Sequence, residues 1–261
     1  MVVDSRLVDF DEYLVKRKVA QGTRKLYIDD LSIWLETIDN PEPTQADAQK
    51  YIDSLTRLSA ATIAIIAHAM MKWFKFRGIV LELETPKVRQ SDPQYLTVKE
   101  FSDALEKCVS QLEKTMLIVL FDSGVRISEL INLNLSDINY TNKTITVTRK
   151  GGKVDTVNIS DKALNELSRW IESRNITSDR IFGEMTYYTA WEIFKKIGLR
   201  IGKHLHPHML RHSRAIQMLI AGAPMHIVQQ HLGHVNIATT ANIYSKFTVG
   251  DLRKQIPDWS K

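Results

Sequence analysis

Cysteine is nearly absent. The 261-residue chain holds one, Cys108, which excludes an internal disulfide and any multi-cysteine zinc module. Long apolar runs are missing as well. The longest, Ala60 to Met71, is interrupted by Thr62 and His68 and stops at Lys72, short of the roughly 20 residues a helix needs to cross a bilayer. Met1 is followed by Val2, Val3 and Asp4 rather than by a basic stretch and an apolar run, so no secretory leader is expected. No glycine-rich nucleotide-phosphate loop occurs, and there is no internal repeat or low-complexity tract. With 44% hydrophobic and 25% charged residues, the composition is that of an ordinary globular protein. The expectation is a soluble, cytoplasmic chain of one large or two modest domains, with no membrane association.

Acidic residues are missing from one long stretch. The net charge is +5, and residues 1–90 hold 13 basic and 13 acidic residues, so the excess lies wholly beyond them. Between Glu192 and Asp251 there is no carboxylate at all. That stretch carries Lys195, Lys196, Arg200, Lys203, Arg211, Arg214 and Lys246, with seven of the eight histidines. A long run holding only donor-type charges suits a phosphate partner.

Residues 4–79 read as helices. Leu7, Phe10, Leu14 and Val15 keep helical spacing, as do Tyr27, Leu31, Trp34 and Leu35. Thr44 and Ser59 open two more helices, the last ending at Gly78. The expectation is a small helical bundle over 1–84. A polar, proline-containing linker over 85–95 then leads to a second domain over 96–261. Thr97 with Glu100 three residues on is a capping-box pattern that opens it.

Within the second domain, helices at 101–109, 112–121 and 125–133 give way to a period of two. Ile138, Thr144 to Thr148, and Val154 to Ile159 read as three short strands, with Gly151-Gly152 turning the second hairpin. Helices return at 161–172, 188–200, 208–221, 224–232 and 236–246. The fold class is mainly α with a small three-stranded antiparallel sheet.

Five local features carry chemistry. Gly124 breaks a helix, after which Arg126 and Glu129 fall three residues apart on one face of the next. An arginine at a helix start can aim its planar fork at a phosphate, although a surface ion pair is the simpler reading of this pair. Lys150 sits at a hairpin tip beside Arg149. His208 and Arg211 share one helical face, with Met209 and Leu210 turned to the core. His204, His206 and His208 form an alternating run that invites a zinc reading, but no cysteine or carboxylate is near to complete a ligand set. Leu232-Gly233-His234 ends a helix and frees His234 from helical geometry. Tyr244 lies on a late helix, where a tyrosine is ordinarily a core aromatic.

Taken in this order, Arg126, Lys150, His208-x-x-Arg211, Leu232-Gly233-His234 and Tyr244 closely resemble the tyrosine recombinase family, the phage integrases, with an Xer-like pattern. Ser123 to Leu130 resembles the family's first arginine box. His208 to His212 and Leu232 to Tyr244 resemble its second. Arg214 and His231 stand where many members carry an apolar residue.

The resemblance implies an N-terminal core-binding domain, a catalytic domain and no cofactor or metal. It further implies transesterification at a double-stranded DNA recombination site. Tyr244 would be the nucleophile, forming a 3′-phosphotyrosine; Arg126, Arg211 and His234 would hold the phosphate. Lys150 would be the general acid, and His208 a donor to phosphate or an acceptor of the phenolic proton. Glu129 would orient a neighbour. The implied assembly is a homotetramer on synapsed DNA, through a Holliday junction, with a monomer or weak dimer free in solution. Beyond Tyr244, Thr248 and Asp251 form a cap pattern, and Val249, Leu252, Ile256 and Trp259 share one face. This tail either folds back or docks on a neighbouring protomer. A type IB topoisomerase or resolvase, a non-catalytic DNA-binding relative and a metal-dependent phosphodiesterase remain as alternatives.

Overall fold

A computed structural model of the chain describes residues 4–88, 94–149, 151–174 and 178–233. The helix expected over 236–246, the tail over 248–261, and Lys150, His234 and Tyr244 lie outside the described residues. Two compact units form, Met1–Ser91 and Asp92–Lys261.

The first unit holds α1 (Val8–Lys16), α2 (Gln21–Glu36), α3 (Gln45–Ser54) and α4 (Ala60–Phe76). Local side chains set the starts. The Thr44 hydroxyl accepts from the Asp47 backbone while the Asp47 carboxylate takes the Thr44 N–H, and Ser59 accepts from Thr62. Trp34 and Trp73 meet edge to face at 5.8 Å in the centre. Leu7, Phe10 and Leu14 are buried as expected, but Val15 is 49% exposed. It follows Leu14 by a single helical step of about 100°, which carries it off the apolar stripe. The segment after α4 packs on this unit: Leu81 is buried there, and the Glu84 N–H donates to the Gln49 side chain.

The second unit holds α5 (Val98–Glu106), α6 (Gln111–Ser123), α7 (Ile127–Ile131), α8 (Asp161–Ser173), α9 (Tyr187–Arg200), α10 (Pro207–Ile220) and α11 (Met225–Leu232). Its strands are β1 (Ile138–Asn139), β2 (Thr144–Thr148) and β3 (Val154–Asn158), antiparallel in the order β1-β2-β3. The Thr97–Glu100 capping box forms as the sequence predicts. α6 is the central helix: Met116 to Leu120 are all buried, with α8 and α10 packed on it. A helix apolar all round belongs inside a core. The sheet turns Ile145, Val147 and Val157 inward and pairs Thr148 with Val154 at its far end. Gly151 and Gly152 take φ of +87° and +82° there, which side chains beyond glycine rarely adopt. Among the described residues, no helix is long and apolar enough to cross a membrane.

Candidate active site

The site is built where α6 stops. Gly124 caps α6 at φ +62°, and a Cβ at this position would collide with the Leu232 side chain at the end of α11. Gly124 is thus the point where the α6–α7 bend and the end of α11 touch. Arg126 follows two residues later. The sequence placed it inside a helix, whereas it is the N-cap of α7, in extended conformation. Arginine has no acceptor with which to cap. Glu129 does the capping instead: its Oε2 accepts the Arg126 backbone N–H at 2.8 Å, and its Oε1 accepts Arg126 Nη1 at 2.7 Å. Glu129 is buried, while the Arg126 side chain stays 32% exposed, so the guanidinium is pinned by one nitrogen and open elsewhere.

Arg211 comes to the same place from α10. Pro207 sits at the first turn, and the His206 ring accepts from the Met209 N–H at 3.3 Å. Met209 and Leu210 enter the core as expected, and Arg211 is buried with them at 4% exposure. Its Nη1 donates to the Gly124 carbonyl and its Nη2 to the Leu232 carbonyl, each at 2.5 Å. Both partners are neutral. Burial pushes the Arg211 guanidinium down to about 9, Arg126 and Arg149 push the same way, and Glu129 opposes them. Two arginines thus share one electrostatic field, one of them a buried cation without a carboxylate partner among the described residues. Such a position is costly until an anion arrives.

His208, one turn before Arg211, is exposed. Loss of hydration, then the charges of Arg211 and Arg126, lower its pKa below the usual histidine value. The ring is therefore neutral near neutral pH and able to take up a proton. No group of three metal-ligating side chains occurs among the described residues, and His206 of the alternating histidine run serves as a helix cap.

Arg126, Glu129, His208 and Arg211 lie close enough to act on one another's charge. Lys150, His234 and Tyr244 lie outside the described residues; each of the first two directly follows a described one, Arg149 and Gly233. Arg149 had no role in the sequence reading, yet it is buried with two carboxylates. The hint available was only its place beside Lys150, because its partners lie on other elements. His231 and Arg214 are half-buried near Gly124, and His231 Nε2 and Arg214 Nε have no hydrogen-bond partner among the described residues.

The sequence profile of the phage integrase family matches residues 94–249. Tyrosine recombinase XerA of Pyrococcus horikoshii is 33% identical, over 96% of this chain and 92% of that protein. Tyrosine recombinase XerD of Rickettsia bellii is 26% identical, over 96% and 88%. Among solved structures, the Tn1549 transposon integrase in complex with transposon right end DNA superposes with a TM-score of 0.78 at 18% identity, covering 96% of this chain and 98% of that one. The match of one family over most of the second unit, and of a relative over nearly the whole chain, is decisive: the protein belongs to the phage integrase family, the tyrosine recombinases.

Proposed function

We propose that the protein is a site-specific recombinase that cleaves and rejoins double-stranded DNA through a 3′-phosphotyrosine and a Holliday junction. The observation that carries this reading is the convergence of Arg126 with a buried Arg211 that has no described carboxylate partner, held at Gly124 with His208 in the same field. A phosphodiester supplies the missing negative charge. As an oxygen attacks, charge grows on the non-bridging oxygens, where paired guanidinium N–H groups hold it best.

In this scheme the Tyr244 oxygen attacks phosphorus and the bond to the 5′ oxygen breaks. The phenolic proton passes to His208, whose lowered pKa keeps it an acceptor. Lys150 protonates the departing 5′ oxygen, and His234 adds a donor to the phosphate. Rejoining runs in reverse: a 5′-hydroxyl attacks the phosphotyrosine, and the phenol is released. The diester's energy is kept throughout, so no nucleotide cofactor and no metal is needed. The unit over 96–261 does this chemistry, and the helices over 1–84 grip the recombination site beside it. Relatives solved with bound DNA, among them the XerH recombinase on its difH site, support the DNA partner. Four copies on two synapsed sites, in the cytoplasm, complete the reading.

The test is covalent trapping on a duplex nicked beside the cleavage point. Wild type should form an adduct, and Tyr244→Phe should bind the duplex without forming one. An adduct in the phenylalanine variant moves the nucleophile elsewhere, with Tyr140, Tyr187 and Tyr188 next in line as exposed tyrosines of this unit. No adduct from wild type on any candidate site sinks the reading.

A further inference from the structure

We propose that Arg149 is a positioning residue that sets both phosphate-facing arginines at once, Arg126 through Glu129 and Arg211 through the end of α11. The inference rests on the reading of Arg126 and Arg211 as the phosphate clamp. Arg149 lies at the neck of the β2–β3 hairpin, where its N–H donates to the Lys153 carbonyl at 2.7 Å. Its side chain turns inward and is 7% exposed. Nη1 donates to Glu129 Oε2 at 3.0 Å, and that same oxygen accepts the Arg126 backbone N–H at 2.8 Å. Nε donates to Asp155 Oδ2 at 3.1 Å, and Nη2 reaches the His231 carbonyl at 3.5 Å.

The guanidinium also lies against Gly233, the left-handed cap of α11. A Cβ there would sit 2.6 Å from Arg149 Cζ and 2.7 Å from Nε. Glycine is thus the surface on which the guanidinium rests. Leu232, immediately before it, supplies one of the two carbonyls that hold Arg211. One side chain therefore ties three segments: the cap of α7, the hairpin neck and the end of α11.

A purely architectural tie here would be better made of apolar residues, because burying a guanidinium costs several kcal/mol unless its partners are well placed. The fork geometry is also specific. Nη1 and Nε diverge toward two carboxylates on different elements, and a lysine can serve one of them at a time. A displacement of about 1 Å in a group near the reacting centre can cost on the order of 100-fold in rate. Arg149 is placed to set such a displacement for two groups together.

The test uses the full chain with Arg149→Met and Arg149→Lys, each alone and combined with Glu129→Gln. Single-turnover cleavage is followed on the nicked duplex with oxygen or sulfur at the 5′-bridging position, beside melting temperature and duplex affinity. Because many phosphate contacts share the binding, affinity should change by no more than about threefold. Cleavage by Arg149→Met should fall by roughly 100-fold on both substrates. Sulfur leaves without protonation, so it relieves a defect in the acid but not one at the non-bridging oxygens. In the Glu129→Gln background the Arg149 change should add less than about threefold, since the two act as one unit.

Fully multiplicative losses overturn the proposal, as does cleavage unchanged by Arg149→Met. Recovery on sulfur also overturns it and transfers the effect to Lys150. If Arg149→Met does not fold, Arg149→Lys carries the same cycle. Should wild type give no Tyr244-dependent adduct, strand transfer fails on its own account. The tie is then judged by the melting temperatures of wild type, Arg149→Met, Glu129→Gln and their double variant, where additive shifts refute it.

Discussion

Replacing Arg211 by methionine asks what the protein spends in stability to keep its site ready. The guanidinium is 4% exposed, and burial pushes its pKa from the ordinary arginine value down to about 9. At about 1.36 kcal/mol per unit, holding it charged costs the folded state roughly 5 kcal/mol. Methionine of similar length removes that cost. It also strips the donors from the Gly124 and Leu232 carbonyls, at roughly 1–3 kcal/mol for each buried acceptor left bare. The balance runs from about 1 kcal/mol of loss to about 3 kcal/mol of gain. For a unit of this size 1 kcal/mol moves the melting temperature by about 2–4 °C. DNA-free Arg211→Met should therefore melt between about 4 °C below and about 12 °C above wild type.

The pH dependence has a definite sign. The folded-state pKa lies below the unfolded value, so from about 9 up to the ordinary arginine value the folded protein binds fewer protons than the unfolded chain. Wild-type stability then rises with pH through that window, and the full cost is present below it. Any advantage of the methionine variant should shrink as pH is raised from about 8 to about 10. Duplex DNA should shift the comparison toward wild type. At 100 times its Kd a ligand stabilises by about 2.7 kcal/mol, and wild type should gain more from it than the variant. Differential scanning calorimetry with and without the duplex is the assay. A drop beyond about 6 °C in the DNA-free variant would mean that Arg211 is an ordinary paired buried arginine, and the reasoning would fall.

Gly124→Ala forces a side chain into left-handed backbone and against Leu232; it should cost about 2–4 kcal/mol by urea titration and slow cleavage more than binding, whereas a wild-type melt rejects the close approach. The cleavage rate should fall on the acid side, with a midpoint below the ordinary 6.5 of histidine, as His208 takes up a proton, and His208→Asn should flatten that limb. A limb that persists in the asparagine variant assigns it to another group. Cleavage should survive EDTA, since the charge is met by guanidinium groups; loss on chelation with recovery on added zinc or magnesium would revive the metal reading.

What the sequence made legible was local. The caps at Thr44, Ser59 and Thr97 are decided within three residues, and the Gly151-Gly152 turn within two, so pattern alone located them. The pairing of Arg126 with Glu129 was legible for the same reason. Its geometry was not, because a three-residue spacing fits both two groups on a helix face and a cap reached from inside the helix. Arg149 stayed invisible. Its partners Glu129, Asp155 and His231 are 20, 6 and 82 residues away, and only the packed sheet and α11 bring them to one guanidinium. The burial of Arg211 was hidden likewise, since an arginine on a helix with His208 reads as surface until α6 and α11 close over it.

The carboxylate-free stretch now has a structural reason. Arg126, Arg149 and Arg211 face Glu129 and Asp155, which leaves this described cluster one positive charge in excess. The excess falls on Arg211, because Glu129 is shared by Arg126 and Arg149, and Asp155 is taken by Arg149. Asp122, next to the α6 end, is held by the Ser160 N–H at 2.7 Å, and Glu113 is occupied by both Nη atoms of Arg200. The helix that carries Arg211, α10, and the helix α11 that closes over it both come from the segment between Glu192 and Asp251, which holds no acidic residue. A carboxylate on either helix within reach of Arg211 would satisfy it in the free protein. That would remove the differential interaction a phosphate must supply, because only contacts stronger in the transition state than before it accelerate the reaction. On the proposed reading, that single surplus charge matches the single charge of a phosphodiester.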